Sequence, residues 1–124
     1  MKANLSEGEQ EQRILRIFQL QKFENLPEVS TNTLENYFTF LTKNLVFPIH
    51  GTFDQESGSS QHTTHPVTVK NLVEDIDEFY GICVKGSVGK KHVEIPLADF
   101  DWNSVDHRNF QLIDDYKTWF WNKR

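Results

Sequence analysis

The sequence predicts a small α+β domain: an antiparallel sheet of four to five strands with helices before it and one helix after it. Three observations predict this. Apolar residues recur at helical spacing at Leu34, Tyr37, Phe38, Leu41 and Leu45, and again at Leu112, Ile113, Tyr116, Trp119 and Phe120. Between those segments lie short runs rich in Val, Ile, Thr and Phe, separated by Gly, Ser and Asp, as strands joined by turns are. Successive strands with short turns favour antiparallel pairing. Four or five such strands often curl into a small SH3-like barrel, the closed form open to this sheet.

The elements follow in order. Met1–Leu5 reads as a loose end. Ser6 with Glu9 forms a capping-box pattern for a first helix, whose stripe is Ile14, Leu15, Ile17, Phe18 and Leu20. Glu24–Ser30 is a loop containing Pro27. Asn32 and Glu35 read as the cap pair of the second helix, which Pro48 stops. Val46–Phe53 alternates as a strand, Asp54–Pro66 is polar and reads as a mobile loop, and Val67–Leu72 is the next strand. After the acidic loop Glu74–Glu78 comes the central hairpin, Phe79–Leu97, with Ser87-Val88-Gly89 as a three-residue tip. That tip sets Lys85 against Lys91, Cys83 against Val93, Gly81 against Ile95 and Phe79 against Leu97. These residues form the dry face and bury Cys83, while Tyr80, Ile82 and Val84 share the mixed face with His92, Glu94 and Pro96. Pro96 cannot donate to a ladder, so its strand is an edge or is bulged there. A loop from Asp99 to His107 leads to the last helix, Asn109–Trp121. All of 1–124 reads as one domain.

Composition excludes several function classes. At 37% hydrophobic and 13% aromatic residues, the chain is too apolar to stay disordered. A net charge of −5 without a basic run argues against a nucleic-acid partner. The first twenty residues carry charges and lack an apolar signal region, and no apolar run is long enough to span a membrane, so no membrane partner is expected. One cysteine, Cys83, forbids an internal disulfide and suits a reducing cytoplasm.

The chemistry-bearing residues cluster on the two flanks of the hairpin. Glu74-Asp75-Ile76-Asp77-Glu78 crowds carboxylates that repel unless solvent or a cation relieves them. Asp99-Phe100-Asp101-Trp102-Asn103 has the D-x-D-x-N spacing that opens an EF-hand loop, and hard oxygens at that spacing can wrap calcium. The rest of an EF-hand is missing: Ser104 stands at its glycine position and Phe110 at its closing glutamate. A polar turn leading into a helix at Asp99–Asn103, and a solvated turn at Glu74–Glu78, are the commoner meanings of these patterns. Asp114 and Asp115 read as acids in the first turns of the last helix, suited to its dipole. His62 and His65 have H-x-x-H spacing without a third ligand, so zinc is not predicted. A buried Cys83 is no nucleophile, and no serine elbow, P-loop or dinucleotide motif occurs, so neither a catalytic nor an organic-cofactor site is expected.

Three segments together resemble the small bacterial calcium-binding protein family first recognised in cyanobacteria, the CcbP-like proteins. They are Tyr37-Phe38-Thr39-Phe40-Leu41 running into Leu45-Val46-Phe47-Pro48-Ile49, then Phe79-Tyr80-Gly81 with Glu94-Ile95-Pro96-Leu97, then Asp114-Asp115-Tyr116 with Trp119-Phe120. The match covers roughly Thr33 to Trp121 in the family's order. It departs at Ser30-Thr31-Asn32-Thr33, where some relatives are acid-rich, and at His50, where many carry an acid or a small residue. The resemblance implies an α+β domain that binds calcium through acidic loops, for buffering or signalling, and no enzyme. With the acidic flanks, it makes Asp75, Asp77, Glu78, Asp99, Asp101 and Asn103 the candidate calcium ligands. The alternative is an SH3- or Tudor-like module that holds a protein partner through Tyr80, Trp102 and Trp121.

Overall fold

The computed structural model describes residues 3–57, 61–99 and 107–124, with side chains at 8–52, 65–99 and 107–124. Helix α1 spans Ala3–Ile17, so it begins before the expected Ser6 cap and takes in most of the segment expected to be loose. Helix α2, Thr31–Asn44, is capped by Ser30 and not by Asn32. Ser30 is extended (φ −151°, ψ 170°), its hydroxyl accepts from the Thr33 N–H, and the Thr33 hydroxyl returns to the Ser30 backbone. This reciprocal pair satisfies donors that a helix start leaves open, which Asn32 inside the first turn cannot do. Helix α3 runs His107–Asn122, close to the expected span.

Strands β1 (Ile49–Ser57), β2 (Gln61–Leu72), β3 (Cys83–Val88) and β4 (Lys91–Pro96) form one antiparallel sheet in the order β1-β2-β3-β4. The sheet is open, so the SH3-like barrel is not formed, and β4 with Pro96 is an edge as expected. Residues 54–57 and 61–66, expected as loop, instead prolong the β1–β2 ribbon down to the Ser57–Gln61 pair. Composition misleads there because the ladder is made by backbone groups, which polar residues also carry.

The central hairpin forms in a different register. Val88 pairs with Lys91 across a two-residue loop, Gly89-Lys90, with Gly89 at φ 59°. Glycine first in a two-residue tip suits a primed turn, whose twist matches the right-handed twist of the strands. Lys85 therefore faces Glu94, Val84 faces Ile95 and Cys83 faces Pro96. An odd shift in register reverses the faces. Ile82, Val84 and Ile95 point into the core, and Cys83 is only half-buried on the outer side. At Gly86 an added side chain would collide with the Thr68 carbonyl, so glycine lets β2 and β3 approach. A bulge between Val69 and Asn71 changes the phase of β2, which is why Val67, Val69 and Leu72 all face inward.

The helices cover that inner face. Leu34, Tyr37 and Leu41 of α2, Ile14 of α1, and Ile113, Tyr116, Trp119 and Phe120 of α3 join the strand residues in one core. At its centre Tyr37 stacks on Trp119 at 5.0 Å and meets Tyr116 edge-on at 5.2 Å. The Trp119 indole N–H donates to the Pro27 carbonyl at 2.9 Å, tying α3 to the loop before α2. No helix among the described residues is long and apolar enough to cross a membrane.

Candidate metal site

The first acidic flank does not run straight into β3. Asp77 folds it back: Oδ1 accepts the N–H groups of Phe79 (2.6 Å) and Tyr80 (3.1 Å), and its carbonyl accepts the Gly81 N–H at 2.6 Å. A short carboxylate reaching the amide two residues on is the Asx turn that aspartate favours. Gly81 has φ 72°, a left-handed conformation that side-chain-bearing residues resist. Glu78 turns the other way, toward α2. Its Oε2 accepts the Thr31 hydroxyl at 2.7 Å and the Thr31 N–H at 2.8 Å. These bonds, the hydroxyl first, hold the Glu78 carboxyl below its usual range. Asp75 and Asp77 are exposed in this turn.

The second flank begins in a 3₁₀ turn, Leu97–Asp99. The Leu97 N–H donates to the Ile82 carbonyl at 2.9 Å, and the Trp121 indole N–H to the Ala98 carbonyl at 3.1 Å. Phe79 and Leu97 are not strand partners, as the expected hairpin had them. Even so, Gly81 is bonded to Asp77, and its neighbour Ile82 is bonded to Leu97, so both flanks meet at one corner. The Cys83 thiol registers this. Burial pushes its pKa up first, and Glu94, Asp77 and Asp99 then add repulsion of the thiolate. Asp101 and Asn103 lie outside the described residues. Among the described residues, no three His, Cys, Asp or Glu side chains stand close enough to hold a metal ion. The corner offers hard carboxylate oxygens, the donor type calcium takes, but Asp75, Asp77, Glu78 and Asp99 do not alone surround an ion.

Two residues carry more than the sequence indicated. Glu94 belongs to this corner's electrostatics, and only the corrected register places it on the outer face with Cys83. Asp115 is not in a first turn: it lies mid-helix, 3% exposed, and binds the Arg13 guanidinium through two bonds of 2.8 and 2.9 Å. Gln10 adds a bond of 2.9 Å to the same carboxylate. The side chain of His62 is not described, and His65 is half-buried. Beside the acidic corner, Phe79, Tyr80 and Trp121 are exposed, and the Arg124 guanidinium lies 4.6 Å from Phe120, 5.4 Å from Phe79 and 5.5 Å from Trp121. Trp102, the remaining aromatic of the interaction-module reading, lies outside the described residues.

Comparison with known proteins adds the following. The model of the CcbP family, described as calcium binding, matches residues 27–120. Two solved structures are similar to the chain. CcbP of Anabaena superposes with a TM-score of 0.57 at 22% identity, over 73% of this chain and 74% of that one. A calcium binding protein in the calcium-binding form superposes with a TM-score of 0.61 at 17% identity, over 90% of this chain and 91% of that one. No curated protein matches.

Proposed function

The chain belongs to the CcbP family of calcium-binding proteins, and from that premise we propose that it holds calcium where the two acidic flanks of the β3–β4 hairpin meet. Two backbone contacts support this reading: Gly81 pairs with Asp77, and its neighbour Ile82 bonds Leu97, two residues before Asp99. Calcium gathers six to eight oxygens with little demand on geometry. Asp75, Asp77 and Asp99 supply carboxylates, Glu78 supplies the oxygen it does not use on Thr31, and Asp101 and Asn103 follow Asp99 at alternate positions. The protein is a cytoplasmic calcium buffer and not an enzyme. Buffering fits better than signalling because Asp77 and Glu78 are already tied into a turn and a helix start, and buffer proteins change little on loading. Magnesium should compete poorly, since it demands a tight octahedron.

Calorimetric titration of wild type and an Asp77→Asn/Asp99→Asn variant tests the site. Asparagine keeps the oxygen that makes the turn, so the fold survives while the charge goes. Calcium should bind wild type and bind the variant at least about tenfold more weakly. Equal binding in both puts the ion elsewhere. A wild type indifferent to calcium favours the second reading, a protein-docking surface built on the exposed rings of Phe79, Tyr80 and Trp121.

A further inference from the structure

The three helices enclose a second feature, a cleft of about 730 Å³, within the size range of small-molecule sites. We propose that it binds a small phosphorylated molecule with a ring-bearing or apolar body. Four cations line it, and apart from Arg13, which Asp115 holds, each helix sends one: Arg16 from α1, Lys43 from α2 and Arg108 from α3. None of the three has a carboxylate partner among the described residues; Arg108 reaches only the Asn44 amide oxygen, at 3.4 Å. The chain as a whole carries a net charge of −5, so three unpaired cations at one opening run against its average. Like charges gathered this way repel, and a multiply charged anion relieves them. Guanidinium forks match phosphate oxygens in shape and number of donors.

Among the described residues the cleft contains one acid, Asp115, and Arg13 and Gln10 occupy its carboxylate. It therefore offers an incoming anion little repulsion. Phe18, Phe40 and Leu112 add apolar wall for a ring. Tyr37 stands behind that wall, edge-on to Phe18 at 5.7 Å and to Phe40 at 6.2 Å. Its hydroxyl is buried and has no hydrogen-bond partner among the described residues, and the charges of Asp115 and Arg13 both act on it. Arg108 precedes Trp121 by thirteen residues of α3, roughly 20 Å along the helix, and none of the residues lining the cleft belongs to the acidic corner.

ADP, without divalent cations, is the probe, titrated by calorimetry into the full chain. It should bind at least about tenfold more tightly than inorganic phosphate or adenosine alone. An Arg16→Ser/Lys43→Ser/Arg108→Ser variant should lose about tenfold or more in ADP affinity, with calcium binding unchanged. If that variant is misfolded, Thr39→Glu, at an exposed position lining the cleft, should weaken ADP in the same way. Phosphate binding as tightly as ADP overturns the ring-bearing body. Citrate binding more tightly than ADP overturns the phosphoryl class. Undiminished ADP binding in the variants, or none at millimolar concentration in wild type, overturns the site.

Discussion

Gly81 and Tyr116 show how single residues hold the acidic corner. The Tyr116 hydroxyl accepts the Ile82 N–H at 2.8 Å, and both it and Phe120 lie where a Gly81 side chain would go. Gly81→Ala adds that collision to a left-handed backbone penalty of about 1–2 kcal/mol, so a total loss near 3 kcal/mol is expected in urea unfolding. A loss under about 1 kcal/mol would mean that the turn relaxes freely. Cys83 reports on the same corner. A cation beside Asp77 and Asp99 cancels part of their repulsion of the thiolate, so calcium should lower the thiol pKa and quicken labelling by a small reagent. A labelling rate indifferent to calcium across the alkaline range argues against this corner. Such roles were unevenly legible in the sequence. Asp77 sits in an acidic run, Glu74–Glu78, which is a signal in the sequence by itself. Asp114 and Asp115 are adjacent and chemically alike, and only Arg13, 102 residues away in sequence, separates the buried one from its neighbour.

Helix α2 and the acidic turn are joined through Glu78, and pH should expose the joint. Glu78 is a carboxylate at a helix start, favourable to the dipole and to Thr31. Its folded pKa lies below the ordinary 4.5, so its stabilising effect is present above that value and lost as pH falls through the folded one. Glu78→Gln should therefore lower the urea midpoint at neutral pH, and the gap from wild type should close in strong acid. A gap that stays constant with pH would assign the loss to packing. Ser30→Ala, at the other side of the same cap, should cost about 1 kcal/mol at every pH. At this scale α2 and α3 were readable because their apolar spacing is periodic over several turns. The hairpin register was not. Ser87-Val88-Gly89 and Gly89-Lys90 are both acceptable tips locally, and the choice is made by what the strands bury, Val84 and Ile95 against the helices. Gly86, which has to pass the Thr68 carbonyl, helps fix it through a neighbour in β2.

The chain carries 18 acidic and 13 basic residues, and Arg16, Lys43 and Arg108 lie at the helical cleft, away from the acidic corner. The fold thus separates an acidic end from a cationic cleft, which the net charge alone did not reveal. On the proposed reading, the carboxylates of the two flanks repel one another until a cation arrives. Two consequences follow for thermal stability, and they differ in sign. At about a hundredfold excess over the dissociation constant, calcium should stabilise wild type by about 2.7 kcal/mol, or roughly 10 °C in Tm for a domain of this size. The Asp77→Asn/Asp99→Asn variant should lose most of that gain. In chelator, by contrast, it should melt at or above wild type, because it has lost the repulsion and kept the Asx turn. The order of the two proteins should therefore invert between chelator and calcium. A variant that melts lower in both conditions would mean that the carboxylates serve the fold and not the ion. Parallel gains of both proteins in calcium would place the ion away from the two flanks.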